Sequence, residues 1–310
     1  MRNGYFGIGR AIGLVVGIGV LFNMISGLIL VAIYGVDLAN SSPTVLILSN
    51  SISQLVGLIG IPVLLSRSFG QEFFQTFRLE GMSESRISFH LVGIPIIAFG
   101  QLFGSALSSL WISLLSQFPD MYSVLDAYQL KIDDMMKGLT TAHSPTQAIL
   151  FLFGIAVIPA FAEEFFFRGF VQTNIERSGK LKARPIVAII VTSILFAALH
   201  LSPFNFPGLC TLGLLLGWLA YRTCDLRVSI LAHAFNNGII VLVVYFASQN
   251  TGVASSLAGS TQMPVDQAFE LLTISALGLA SFLYLFQRIT KDVKSRTFIV
   301  RQFEELNEIV

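Results

Sequence analysis

An all-α fold is predicted: a polytopic membrane helix bundle with about eight transmembrane helices and both termini cytoplasmic. Three observations predict it, namely scarce charge, eight apolar runs and a one-sided distribution of Lys and Arg. Only 12% of the 310 residues are charged, 54% are hydrophobic, and the mean hydropathy is +0.75. Soluble domains carry roughly 25% charged residues, so this chain has too little polar surface to stay dissolved as a globule. A net charge of +1 offers no attraction for nucleic acid, and no such partner is expected.

A span needs roughly 20 apolar residues, fewer where protein shields its ends. The runs are 11–34, 44–65, 88–116, 146–167, 186–201, 208–221, 227–247 and 267–286. The first is too long for a signal-peptide core and is read as an uncleaved membrane helix. The third is long enough to tilt or break, whereas the fifth and sixth are short for lipid-facing helices. Eight spans put 17 of the 19 Lys and Arg residues on one side, counting Arg227 with it, and leave only Lys131 and Lys137 opposite. The opposite stretch also carries Asp120, Asp126, Asp133 and Asp134. Basic loops stay cytoplasmic, which fixes the expected orientation.

Segments 68–80 and 122–138 and the tail 288–310 mix charge with apolar residues and read as interfacial or amphipathic helices. The chain reads as a single membrane domain, 1–310, without internal repeat or low-complexity tract. Cys210 and Cys224 form neither a zinc spacing nor a disulfide framework.

Ionisable groups inside spans are costly and mark function by default. They cluster at Glu163-Glu164 with Arg168, at Phe196 with His200, and at His233 with Asn237. Glu164 and Arg168 stand four apart and can pair on one helix face. Glu163 points about 100° away from Glu164, which frees it for chemistry. His233 and Asn237 share a face, and Phe196 can wall the pocket of His200 one turn later. In an antiparallel hairpin centred on Leu181, Glu163 lies 18 residues before the turn and His200 19 after it, at similar depth. A carboxylate and an imidazole on one water make a general base. A second His with an Asn can hold a developing oxyanion, worth about 3–4 kcal/mol per good donor.

Glu-Glu-x-x-x-Arg at 163–168, Phe-x-x-x-His at 196–200 and His-x-x-x-Asn at 233–237 resemble the three motifs of the CAAX protease and bacteriocin-processing family. The resemblance covers roughly residues 146–245, taken as the catalytic core. It implies a bundle of about eight helices with a site sunk below the cytoplasmic surface. It further implies that Glu163 and His200 activate water, that His233 and Asn237 form the oxyanion hole, and that Glu164 and Arg168 support them. The expected protein is an intramembrane endopeptidase of the bacterial cytoplasmic membrane. Its expected partners are membrane lipid and a peptide or lipidated protein substrate, and no cofactor is required.

Two alternatives stand beside this reading. Glu163, His200 and His233 offer three ligands for a divalent metal such as zinc, with one position left open, although the two-His helix motif of zinc peptidases is missing. A non-catalytic transporter or immunity scaffold would use the same groups to conduct ions or to join helices. Bland readings also exist for single residues. Glu164–Arg168 can be a structural ion pair, His200 a helix cap, and Asn236 with Asn237 an interhelical hydrogen-bonding pair. His90, His143 and the turn Arg222–Asp225–Arg227 read as solvated, Phe165–Phe167 as lipid-facing or core, and Gly213 with Gly217 as a close-packing face.

Overall fold

A computed structural model describes residues 4–34, 42–83, 85–140, 144–178, 184–248 and 263–293. Within them the chain forms nine long helices: α1 (Ile8–Tyr34), α2 (Pro43–Ser68), α3 (Ile87–Leu115), α4 (Pro119–Thr140), α5 (Pro145–Arg177), α6 (Arg184–Leu199), α7 (Phe206–Thr223), α8 (Leu226–Ser248) and α9 (Val265–Ile289). Six are long and apolar enough to cross a membrane: α1, α2, α3, α5, α8 and α9. The short sixth and seventh fall below that threshold, in line with their apolar runs. The protein is a multi-pass, all-helical membrane protein.

Local chemistry sets the helix starts. Ser42 and Ser144 cap α2 and α5 by accepting from the backbone N–H of Val45 and Gln147, and each is followed by a Pro whose missing N–H costs nothing there. α3 runs unbroken through Pro95, so the long third run neither breaks nor splits. π-helical turns interrupt α2 at Leu55–Gly60 and α5 at Leu152–Val157 and Phe165–Gln172. Such turns gather at functional sites.

Burial ranks the helices. In the apolar windows of α1 and α9 only 17% of residues are buried, against 50% in α5. The outer helices therefore present apolar side chains such as Val16, Leu28 and Leu277 to lipid, while α5 is the helix that can carry charge. Phe165, Phe166 and Phe167 all lie in the core, joined by Phe77, Phe170 and Phe196.

Small residues bring α7 close to its neighbours. A Cβ added to Gly213 would lie 2.9 Å from Ser193 Cβ on α6, and one added to Gly104 on α3 would lie 2.9 Å from Gly208 Cα. Lipid gives apolar helices little reason to associate, so such close approach carries much of the packing. Gly104→Ala is expected to push α3 from α7 and cost about 1–3 kcal/mol. Thermal unfolding in detergent checks this, with Gly17→Ala on α1, where the added carbon meets nothing, as the silent control.

Three surface readings change. Asp225 is fully buried, not solvated: it pairs with Arg227 at 2.9 Å, while Arg222 Nη2 donates to the carbonyl of Gln287 and to Thr290 Oγ1. The turn is a clasp because its neighbours supply partners that a sequence window does not contain. Burial of Asp225 opposes its charge, but hydrogen bonds from Arg227 and Ser85 prevail and hold its carboxyl below the usual range. His90 is only partly solvated, half-buried with its Nε2 3.3 Å from Ser85 Oγ. Segment 68–80 does not merely lie on a surface, since Phe77 and Arg78 insert beneath α5. His143 and residues 294–310 of the tail lie outside the described residues.

Candidate active site

The centre begins with Glu164 and Arg168, one turn apart on α5 and both fully buried, with Arg168 Nη1 donating to Glu164 Oε1 at 2.7 Å. Arg168 Nη2 donates to the carbonyl of Gly213 at 3.3 Å, and its guanidinium lies 4.6 Å from the centre of the Phe196 ring. An aromatic face, a carbonyl and a carboxylate together make the interior tolerable for the cation.

Glu164 has a second partner. His233 Nδ1 lies 3.0 Å from Glu164 Oε1, and the ring is 2% exposed. A carboxylate paired to arginine only accepts, so Nδ1 carries the hydrogen and Nε2 points the other way. His200 is fixed by the same logic. Its Nδ1 lies 2.8 Å from the carbonyl of Phe196, which only accepts, so its Nε2 is likewise turned outward. His200 sits in the turn just after α6, and the next residue, Leu201, has φ 50°, a left-handed conformation uncommon for a branched side chain. That conformation ends the helix at the histidine.

Both free imidazole faces meet at one atom. His200 Nε2 and His233 Nε2 each lie 4.0 Å from Glu163 Oε2. That oxygen is buried and has no hydrogen-bond partner among the described residues. The three groups line a cavity of about 650 Å³ together with Phe196, Asn236 and Asn237. Asn237 is half-buried, and its Oδ1 accepts from Asn236 Nδ2 at 3.3 Å. The structure thus brings Glu163, His200 and His233 to one point, with Asn237 on the same cavity wall. Glu164 and Arg168 lie behind them, and Phe196 lines the cavity beside His200.

The sequence reading passed over several lining residues. Asn50 and Gln54 on α2, and Gln101, Ser105 and Ser108 on α3, face the same cavity. Their signal was present: polar groups four apart, or four and three apart, in otherwise apolar runs define one wet face. Asn236, 7% exposed, was read only as a hydrogen-bonding partner between helices and not as a site residue.

No group of three or more His, Cys, Asp or Glu close enough to hold a metal occurs among the described residues. A tetrahedral zinc binds its donors at about 2.0–2.2 Å, which places them about 3.4 Å apart. The 4.0 Å from Glu163 Oε2 to both imidazole Nε2 atoms is wider than that spacing.

Fold and centre together define a helical membrane protein with a buried Glu–His–His cluster beside an internal cavity. Residues 145–239 match the family model described as Rce1-like, type II CAAX prenyl endopeptidase Rce1-like. That segment is similar to the CAAX protease family, the family that the three motifs resemble. No curated protein and no solved structure matches the chain.

Proposed function

We propose that this protein is an intramembrane endopeptidase that hydrolyses a peptide bond of a membrane-associated or lipid-linked substrate with water activated by Glu163 and the histidines. One observation carries the reading: two imidazole nitrogens stand 4.0 Å from the same unbonded carboxylate oxygen. A water about 2.8 Å from both partners fits such a gap with about 90° between its two contacts. Its oxygen attacks the scissile carbonyl carbon, and its proton passes to Glu163. When the tetrahedral intermediate collapses, the C–N bond breaks and the proton goes to the departing amine.

The histidines divide the work by protonation. With Nδ1 holding a hydrogen, a neutral ring offers an Nε2 lone pair that orients the water. His233 can donate to an oxyanion from Nε2 only when doubly protonated, whereas the Asn237 amide donates in every state. Asn237 is therefore the constant oxyanion donor in this reading, with His233 beside it. Glu164 and Arg168 hold His233 in its tautomer, and Phe196 anchors His200 through its carbonyl.

The single domain spans the bacterial cytoplasmic membrane eight times with both termini inside, and residues 146–245 form its catalytic core. The test is cleavage of a hydrophobic or lipid-linked reporter peptide by purified protein in detergent. Product is expected from the wild type and none from His200→Ala, with unchanged melting of the variant. Chelators are expected to leave the rate unchanged. Inhibition by a chelator, reversed by zinc, would establish the metal-dependent reading instead. Wild-type biological function in a cleavage-silent protein would favour the transporter or immunity scaffold.

A further inference from the structure

One polar stretch of the bundle takes no part in the chemistry above. α2 carries Ser49, Asn50, Ser51, Ser53 and Gln54 within an apolar run, where hydrocarbon offers no water to bond them. The three hydroxyls have partners. Ser49 Oγ donates to the carbonyl of Ser26 on α1 at 3.0 Å, Ser51 Oγ to that of Ile47 at 2.8 Å, and Ser53 Oγ to that of Ser49 at 2.8 Å. The two carboxamides have none. Asn50 and Gln54 make no hydrogen bond among the described residues, and both line the cavity that holds Glu163.

Gln54 is the sharper case. It is 6% exposed, and its buried Oε1 is without a partner. A buried polar atom left unpaired is destabilising, so it points to a group that arrives later. The helix that presents these amides is firmly held. Ile47, one turn before Asn50, packs with Ala148, Phe151 and Val241. A Cβ added to Gly154 on α5 would collide with Ile47 Cγ2 and stand 3.4 Å from Ser51 Oγ. α2 is thereby locked against the helix that carries Glu163, and its π-helical turn starts directly after Gln54.

Spacing identifies what the amides can pair with. Asn50 and Gln54 are four apart on one helix face, about 6 Å along the axis. In an extended chain one residue turns both its N–H and its C=O to the same side, and the next to do so lies two residues on, about 6.6–6.8 Å away. A carboxamide carries an acceptor and a donor side by side, so it can meet both groups of one residue. Its terminal torsion is soft, and either atom can turn to the ligand. Two amides on α2 thus match two alternate residues of an extended main chain, as the edge strand of a sheet would.

From this geometry we propose that Asn50 and Gln54 are substrate-positioning residues, which hydrogen-bond the main chain of the substrate as an extended strand along α2 in the cavity of Glu163. The proposal rests on the endopeptidase reading. Main-chain pairing ignores side-chain identity, so α2 supplies affinity and register and leaves sequence preference to other walls. Neither residue belongs to 145–239, the segment that matches the family model.

The test compares purified full-length protein with Gln54→Met and Asn50→Leu, which keep the bulk of each side chain and remove its hydrogen bonds. For Gln54→Met a KM raised about tenfold is expected, with kcat within about twofold of wild type. Its melting temperature is expected at or above the wild-type value, because an orphaned polar atom has gone. A second arm uses a fluorophore-labelled hydrophobic reporter peptide N-methylated at one residue at a time. Wild-type protein is expected to lose about tenfold in kcat/KM at two residues that stand two apart. Gln54→Met should abolish the loss at one of them and Asn50→Leu at the other. An unchanged KM, or N-methyl losses that neither variant alters, overturns the proposal, as does a lowered melting temperature with proportionate loss of kcat. Binding of the same peptides to Glu163→Gln protein, with and without Gln54→Met, needs no catalysis. A wild-type protein that cleaves nothing would therefore defeat the endopeptidase reading, while the affinities still decide the role of α2.

Discussion

Glu163→Gln is expected to lower the cleavage rate by about 10²–10⁴-fold, the range for loss of a positioned general base. The substitution keeps the shape of the side chain and removes only its ability to take a proton. Glu163 Oε2 makes no hydrogen bond within the described structure, so the substitution breaks none at that atom. The melting temperature is accordingly expected to stay at the wild-type value. Single-turnover cleavage of a reporter peptide measures the first quantity and thermal unfolding in detergent the second. A variant with the wild-type rate would remove Glu163 from the mechanism, and with it the meaning of the two 4.0 Å approaches from His200 and His233.

The neighbouring carboxylate should behave in the opposite way. Glu164→Gln takes from the fully buried Arg168 cation the one carboxylate that it is hydrogen-bonded to, and breaking such a pair costs about 3–5 kcal/mol. It also weakens the acceptor that fixes His233. Low yield, a depressed melting temperature and lost cleavage are all expected. The double variant Glu164→Gln/Arg168→Met removes both charges and should regain most of the stability, yet remain inactive because His233 is no longer oriented. Melting curves of the single and double variants decide the matter. A single variant as stable as the wild type would show that the pair is not structural, and an active double variant that His233 needs no such support.

Much of the centre was legible in the sequence because its chemistry is local. Glu164 and Arg168 lie on one helical turn, so their 2.7 Å pairing follows from spacing alone. The depth match of Glu163 with His200 followed from counting along an antiparallel hairpin. What counting did not reveal was the second partner of Glu164. His233 lies 69 residues away, and the register of α8 against α5 is set by packing. Asp225 was misread for the same reason, since a charged turn looks solvated until the segments that fold over it are known. The wet face of α2 and α3 was visible as Asn50 with Gln54 and Gln101 with Ser105, but a neutral amide in an apolar run makes a weaker signal than an acid or an imidazole. Helix existence was read well, as charge scarcity and length decide it. The orientation of each face was not, as it depends on neighbours.

The spacing of the Glu164–Arg168 pair also bears on how the chain is made. A lone ionised side chain arriving at the centre of a nascent membrane segment costs about 2.5–3.5 kcal/mol at the translocon. Here anion and cation leave the ribosome four residues apart and can neutralise each other within one turn before any later helix has been synthesised. The pair can thus enter lipid as a nearly neutral unit, which leaves Glu163 as the one acid of that turn without a cation on its own helix face before the histidines of α6 and α8 arrive.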